Sequence, residues 1–316
     1  MSKPADNAHP NFYDDGQGIR LARSSRRSDF IFGVVGVSVL VLSLGLLIAL
    51  LVDLLLDGGG RIDYDFLTSF PSRRPADAGI LSAWVGTTLV MIVTAFLAVP
   101  LGVMAGLYLE EYAQENWVTT LIEINIGNLA GVPSIIYGLL ALGLFVYMLD
   151  LGQTVFVAGA VLALLILPVV IVSTREAVRS IPQAVREGAY GIGADKWQTT
   201  CSFILPAARP GILTGAIVGL SRAIGETAPV ITIGALTYIA FLPPPPISGQ
   251  FPFINFEWLD SPFTVLPIQI FNWLSRPQAE FHVNAAAAGV VLIGMTLLMN
   301  ALAIVIRYRL RRDVMN

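Results

Sequence analysis

GILTGAIVGLSRAIGETAPVITIGALTYI, Gly211–Ile239, is long and apolar enough to be read as a membrane-spanning helix, yet it carries Arg222 and Glu226 four residues apart. That spacing puts both side chains on one helix face, within reach of each other. A charge at the middle of a spanning helix costs roughly 2.5–3.5 kcal/mol on insertion scales, so it usually lines a pathway or a protein interior. Gly211, Gly215 and Gly219 repeat at the interval that lets helix backbones approach closely in lipid. Helical steps of three and four carry the same face on to Arg222 and Glu226. Pro229 then frees a backbone carbonyl beside the pair. Two readings follow. In one, the two charges only neutralise each other. In the other, Arg222 offers a permanently charged guanidinium fork to a tetrahedral oxyanion, and Glu226 holds it when no substrate is present. The intramembrane position favours the second.

The rest of the chain supports a polytopic membrane protein. Of its 316 residues 55% are hydrophobic and 13% charged, against about 45–50% and about 25% in soluble domains. Stretches near the roughly 20 residues needed for a crossing occur at 30–56, 81–109, 124–149, 154–174, 211–239 and 284–306. An all-α fold of about six transmembrane helices is expected. The first stretch exceeds the apolar core of a signal peptide and reads as an anchor. A net charge of −3 and no basic run with interleaved aromatics speak against a nucleic-acid surface, and the lone Cys201 excludes an intrachain disulfide.

Lysine and arginine set the expected orientation. Lys3, Arg20, Arg23, Arg26 and Arg27 precede the first span, Arg307, Arg309, Arg311 and Arg312 follow the last, and residues 175–209 hold five more basic residues. Only Arg61, Arg73, Arg74 and Arg276 lie opposite. Both termini and the 175–209 connection are therefore expected in the cytoplasm, with 57–80 and 240–283 outside. The connection after the second span breaks the pattern: Glu110, Glu111, Glu115 and Glu123 stand there without a basic residue. Residues 1–27 are polar and lack apolar periodicity, so a disordered leader is expected ahead of a transmembrane domain over 28–316. In 240–283, four prolines (243–246) stop any helix, and residues 264–274 suit a short interfacial helix with Phe263, Phe271 and Trp273 at headgroup level.

Within 175–209, Pro182 marks a helix start, and Leu205-Pro206 a second break. Between them, Ala184, Val185, Ala189 and Ile192 offer an apolar face that suits a groove on a soluble partner, or the inner leaflet. Glu187-Gly188-Ala189, then Gly193, Phe203, Leu205 and Pro206 resemble the EAA loop of ABC-importer permeases, departing from it at Gly188 and Phe203, where Ala and Ile are usual. Gly225-Glu226-Thr227-Ala228-Pro229 is similar to the signature of the PstA-type phosphate permease. Residues 131–138 (GVPSIIYG) and 266–273 (LPIQIFNW) resemble the same family's third span and the segment before its last span.

The resemblance implies a transport subunit in a bacterial inner membrane, and it adds Thr227 to Arg222 and Glu226 on the substrate pathway. Its implied partners are a sister permease, a pair of ATP-binding subunits gripping the 187–206 loop, and an external phosphate-binding protein. ATP and magnesium would sit in the ATPase, for this chain has no Gly-rich Gly-Lys-Ser/Thr loop; its only lysines are Lys3 and Lys196. No cofactor or metal is expected in this chain, and no catalytic role. Competing expectations are a permease for sulfate, molybdate or an organophosphate, a membrane enzyme using Glu226 as acid or base, and a signalling scaffold.

Overall fold

The computed structural model describes residues 16–236, 238–247 and 253–315, with side chains between 30 and 309. Helices dominate: α1 Gly16–Gly58, α2 Tyr64–Thr68, α3 Leu81–Leu107, α4 Trp117–Leu129, α5 Ser134–Ala141, α6 Val155–Arg179, α7 Gln183–Gly191, α8 Lys196–Thr199, α9 Leu205–Ala223, α10 Ala228–Thr232, α11 Leu266–Leu274 and α12 Ala279–Met315. Strand geometry among the described residues is limited to isolated bridges at Thr154–Pro262 and Ile247–Ile254. Among the described residues, five helical stretches are long and apolar enough to cross a membrane, and the α4–α5 pair makes a sixth candidate bent by 107°. The expected third span, 124–149, is therefore not one straight helix: Gly131 and Pro133 interrupt it.

The chain divides into two units, 1–53 and 54–316. In the first, α1 is apolar around its circumference, with Val34, Leu40 and Leu46 all exposed, which suits lipid. Residues 1–15 of the expected disordered leader lie outside the described residues. Residues 16–27 are helical instead, because helix propagates from an established apolar segment at little cost.

The second unit is built around α6. Val155, Val161, Ile166 and Val170 are fully buried there. α3 runs parallel to it: Gly159 abuts Val93, and Gly106 abuts Thr174. α9 runs antiparallel through the glycine stripe, with Gly211 against Ala177, Gly215 against Ser173 and Gly219 against Ile166 and Val170. This is the close packing that the four-residue repeat predicts. α12 runs antiparallel to α9: Ser221 donates to Asn300 Oδ1, and Arg307 Nη1 donates to Thr214 Oγ1 at 2.8 Å.

At one end of the bundle, α2, α11 and the start of α12 form a separate core of Phe66, Ile80, Leu266, Trp273 and Phe281. Arg61 fastens it, donating to Asn284 Oδ1 at 3.2 Å and to Ala76 O at 2.7 Å. The interfacial reading of 264–274 is corrected here. Phe271 is exposed, whereas Trp273 is buried between Phe66 of α2 and Phe281 of α12, and Phe263 is buried in the core around α6.

Candidate functional site

The expected span 211–239 is shifted and cut. Helix begins at Lys196 and passes through a widened π turn at Thr200–Ile204 into α9, which ends at Ala223. Pro206 therefore does not break the chain: it directly follows the π turn, inside a helix that continues from Lys196 to Ala223. Beyond Ala223, residues 224–227 are non-helical and Pro229 opens the short α10.

Arg222 thus occupies the last turn of α9, where the helix dipole favours a cation. Its Nε lies 3.4 Å from Glu226 Oε1, with the side chains 46% and 19% exposed respectively. One long contact leaves the Nη groups without a described hydrogen bond. A pair serving only self-neutralisation would be expected to close as a bidentate fork; this one stays open toward the surface of the single chain. Thr227 follows directly, its hydroxyl reaching only the Gly225 carbonyl at 3.5 Å. The structure therefore brings Arg222, Glu226 and Thr227 together, although the break, not a continuous helix face, does so.

The depth of the pair follows from its neighbours. Glu226 lines a small cleft with Thr87, Val90, Leu162 and Val265. Leu162 is seven residues into α6, about 10 Å from that end and about 25 Å from the other at 1.5 Å per residue. Such a site lies inside a hydrocarbon layer of about 30 Å, where irregular backbone is tolerated only against protein or water.

The two signature segments pack on each other. A Cβ at Gly138 would collide with Thr232 Oγ1 and with the backbone of Pro229, so GVPSIIYG and GETAP form one contact. Tyr137 closes the α4–α5 bend by donating to Leu129 O at 2.8 Å. Gly138→Ala is expected to destabilise the assembled complex by about 1–3 kcal/mol through overpacking. Gly188→Ala, which meets nothing within 4 Å, is the control. Thermal unfolding in detergent measures both.

At the other end, α7 carries Glu187, Gly188 and Ala189. Gly193 has φ +88°, a left-handed conformation that glycine adopts without strain. Asp195 and Gln198 then form a capping box that starts α8. The expected apolar docking face is only partly right. Ala189 is buried and Val185 packs on Val178, Ile181, Ile204 and Ala208. Outward stand Glu187, Tyr190, Ile192 and Trp197, while Phe203 is partly exposed, Leu205 half-buried and Pro206 half-buried. The loop is one ordered unit because three arginines lock onto the acidic connection. Arg186 Nη2 meets Glu111 Oε1 at 2.6 Å, Arg179 forks onto Glu110 at 3.0 and 3.2 Å, and Arg175 reaches Glu123 at 2.7 Å. Sequence reading noted these glutamates only as an exception to the charge rule. Their signal was there: an acidic cluster on the same side as an excess of arginine.

Comparisons with known proteins agree with this architecture. The family described as "Binding-protein-dependent transport system inner membrane component" matches residues 78–316. Phosphate transport system permease protein PstA of Yersinia pestis is 34% identical over 249 residues, 76% of each chain. PstA of Mycobacterium leprae is 34% identical over 218 residues, covering 68% of this chain and 66% of that protein. In solved structures, a chain of a bacterial alginate ABC transporter aligns with TM-score 0.63 at 16% identity over 92% of this chain and 98% of that one. A chain of the MetNI methionine ABC transporter gives 0.55 at 17% identity, over 72% and 94%. At those identities the likeness is one of fold. The matched family, which covers the whole bundle from α3 onward together with the α7–α8 loop, settles the class: this chain belongs to the inner-membrane components of binding-protein-dependent transport systems.

Proposed function

We propose that this chain is the permease subunit of an ATP-driven phosphate importer, lining the translocation path together with a sister permease. The observation that carries it is Arg222: a guanidinium at membrane depth, half exposed in the single chain and held by one long contact to Glu226. Facing a second permease, that exposed side would become a wall of the pathway. Arg222 gives a phosphate ion a transient positive site and Thr227 a hydroxyl. Glu226 competes for the guanidinium, so the ion is not retained, as conduction requires.

In this reading both termini and the α7–α8 loop are cytoplasmic. Glu187, Tyr190, Ile192 and Trp197 seat in a pair of ATP-binding subunits, which hold the ATP and magnesium. The partners' closure pulls the latched α7 and tilts α6 and α9, opening the cavity alternately to each side. The names of the relatives support phosphate as the solute. The test is labelled-anion uptake into proteoliposomes holding the complete complex, with phosphate, sulfate and molybdate offered in competition. Phosphate uptake that tenfold excess sulfate leaves unchanged is the expected outcome; preferential sulfate or molybdate uptake would refute it.

A further inference from the structure

Three arginines converge at the end of the bundle opposite the α7–α8 loop. Arg73, Arg74 and Arg276, with Ser72, Asp77 and Tyr238, line an open pocket of about 700 Å³. The turn that bears two of them is anchored, not loose. Ser72 Oγ accepts from Arg74 N at 3.1 Å, Asn284 Nδ2 donates to Pro75 O at 2.8 Å, and Arg61 Nη2 donates to Ala76 O at 2.7 Å. Arg276 packs over the Phe281 ring, its Cζ 4.3 Å from the centroid, a contact that holds the guanidinium beside the pocket. Against three guanidiniums stands one carboxylate, Asp77, and its contact with Arg74 is 4.0 Å long between two exposed side chains. Such a pair is worth little. The contrast with the coupling end is sharp: there Arg175, Arg179 and Arg186 are all paired, whereas Arg73 has no described ion pair or hydrogen bond.

We propose that this pocket receives acidic side chains of the external substrate-binding protein and steers its docking. The inference rests on the permease reading above, with this end outward. Exposure decides between a small anion and a protein surface. A single ion in so open and wet a pocket gains little from each guanidinium and is screened by salt, whereas a folded partner presents several carboxylates at once. Rim charges of this kind act chiefly on the rate of encounter.

The test uses the complete complex in proteoliposomes, with ATP hydrolysis followed against the concentration of loaded binding protein at about 50 mM and about 300 mM salt. Arg73→Gln/Arg74→Gln is expected to raise the half-saturating concentration about tenfold at low salt, to leave the plateau rate unchanged, and to flatten the salt dependence. Arg276→Gln shifts it the same way, and Asp77→Asn the opposite way. Asp77→Asn guards against loss of folding, because misfolding cannot lower the half-saturating concentration. An unchanged half-saturating concentration and salt dependence in the double variant would overturn the proposal. So would stimulation only by binding protein on the other face, or inorganic phosphate alone binding the complex in an Arg73- and Arg74-dependent manner. Absence of phosphate uptake in a complex that the binding protein still stimulates would instead sink the substrate assignment and leave the docking site standing.

Discussion

Arg222→Gln is expected to cut phosphate uptake by about a hundredfold or more, while the complex still assembles and still hydrolyses ATP on meeting its loaded binding protein. Glutamine keeps much of the bulk and some hydrogen-bonding capacity but removes the charge and the fork. Charge-assisted hydrogen bonds contribute about 1.5–3 kcal/mol each, and tenfold in rate corresponds to about 1.4 kcal/mol. Losing two of them predicts a fall of about a hundredfold or more in uptake. Arg222→Lys retains the charge at a single point and is expected to fall between. Glu226→Gln tests the other half of the pair. With no carboxylate to compete, phosphate is held longer, so uptake slows while occupancy of the site rises. Equal loss of uptake and of stimulated hydrolysis in Arg222→Gln would place the residue in the fold, not on the path.

The second large effect lies some distance away, at the latch between α7 and the acidic connection. Glu111 and Arg186 are only 7% and 14% exposed, and Arg186 also donates to Ile181 O at 2.9 Å and Val178 O at 3.2 Å. Removing one partner of a buried pair leaves the other charge uncompensated, at a cost of about 3–5 kcal/mol. Glu111→Gln is therefore expected to free α7. Hydrolysis then continues without transport, and the ratio of phosphate moved to ATP consumed drops by about tenfold or more. The combined replacement Glu111→Leu/Arg186→Met removes both charges, so it recovers thermal stability relative to either single variant. A double variant no more stable than the singles would show that the pair is not the latch.

Much of this was legible in the chain because lipid imposes simple rules. The apolar lengths marked the crossing helices, and Gly211, Gly215 and Gly219 located the face that packs on α6. Three features were not legible, each for a physical reason. The seat of α10 against Gly138 of α5 is a contact between segments some 90 residues apart that no local pattern encodes. Trp273 and Phe271 share one short helix, and only the tertiary cover supplied by α2 and α12 decides which of them is buried. The ion pairs of Arg175, Arg179 and Arg186 join residues some 50 to 75 positions apart. The composition of each segment was visible, and their pairing was not. At the site, Arg222 and Glu226 do meet, as their spacing suggested, but across the end of α9 and not along an unbroken helix.

The central claim is that Arg222 faces water between two permeases, and thiol accessibility tests it directly. In a Cys201→Ser background, Arg222→Cys is placed in the assembled complex and challenged with a membrane-impermeant, charged thiol reagent, alongside an apolar maleimide. The account predicts that the charged reagent reacts, at a rate that changes when nucleotide closes the ATPase subunits. Reaction with the apolar reagent alone, unaffected by nucleotide, would put position 222 against lipid and contradict the account.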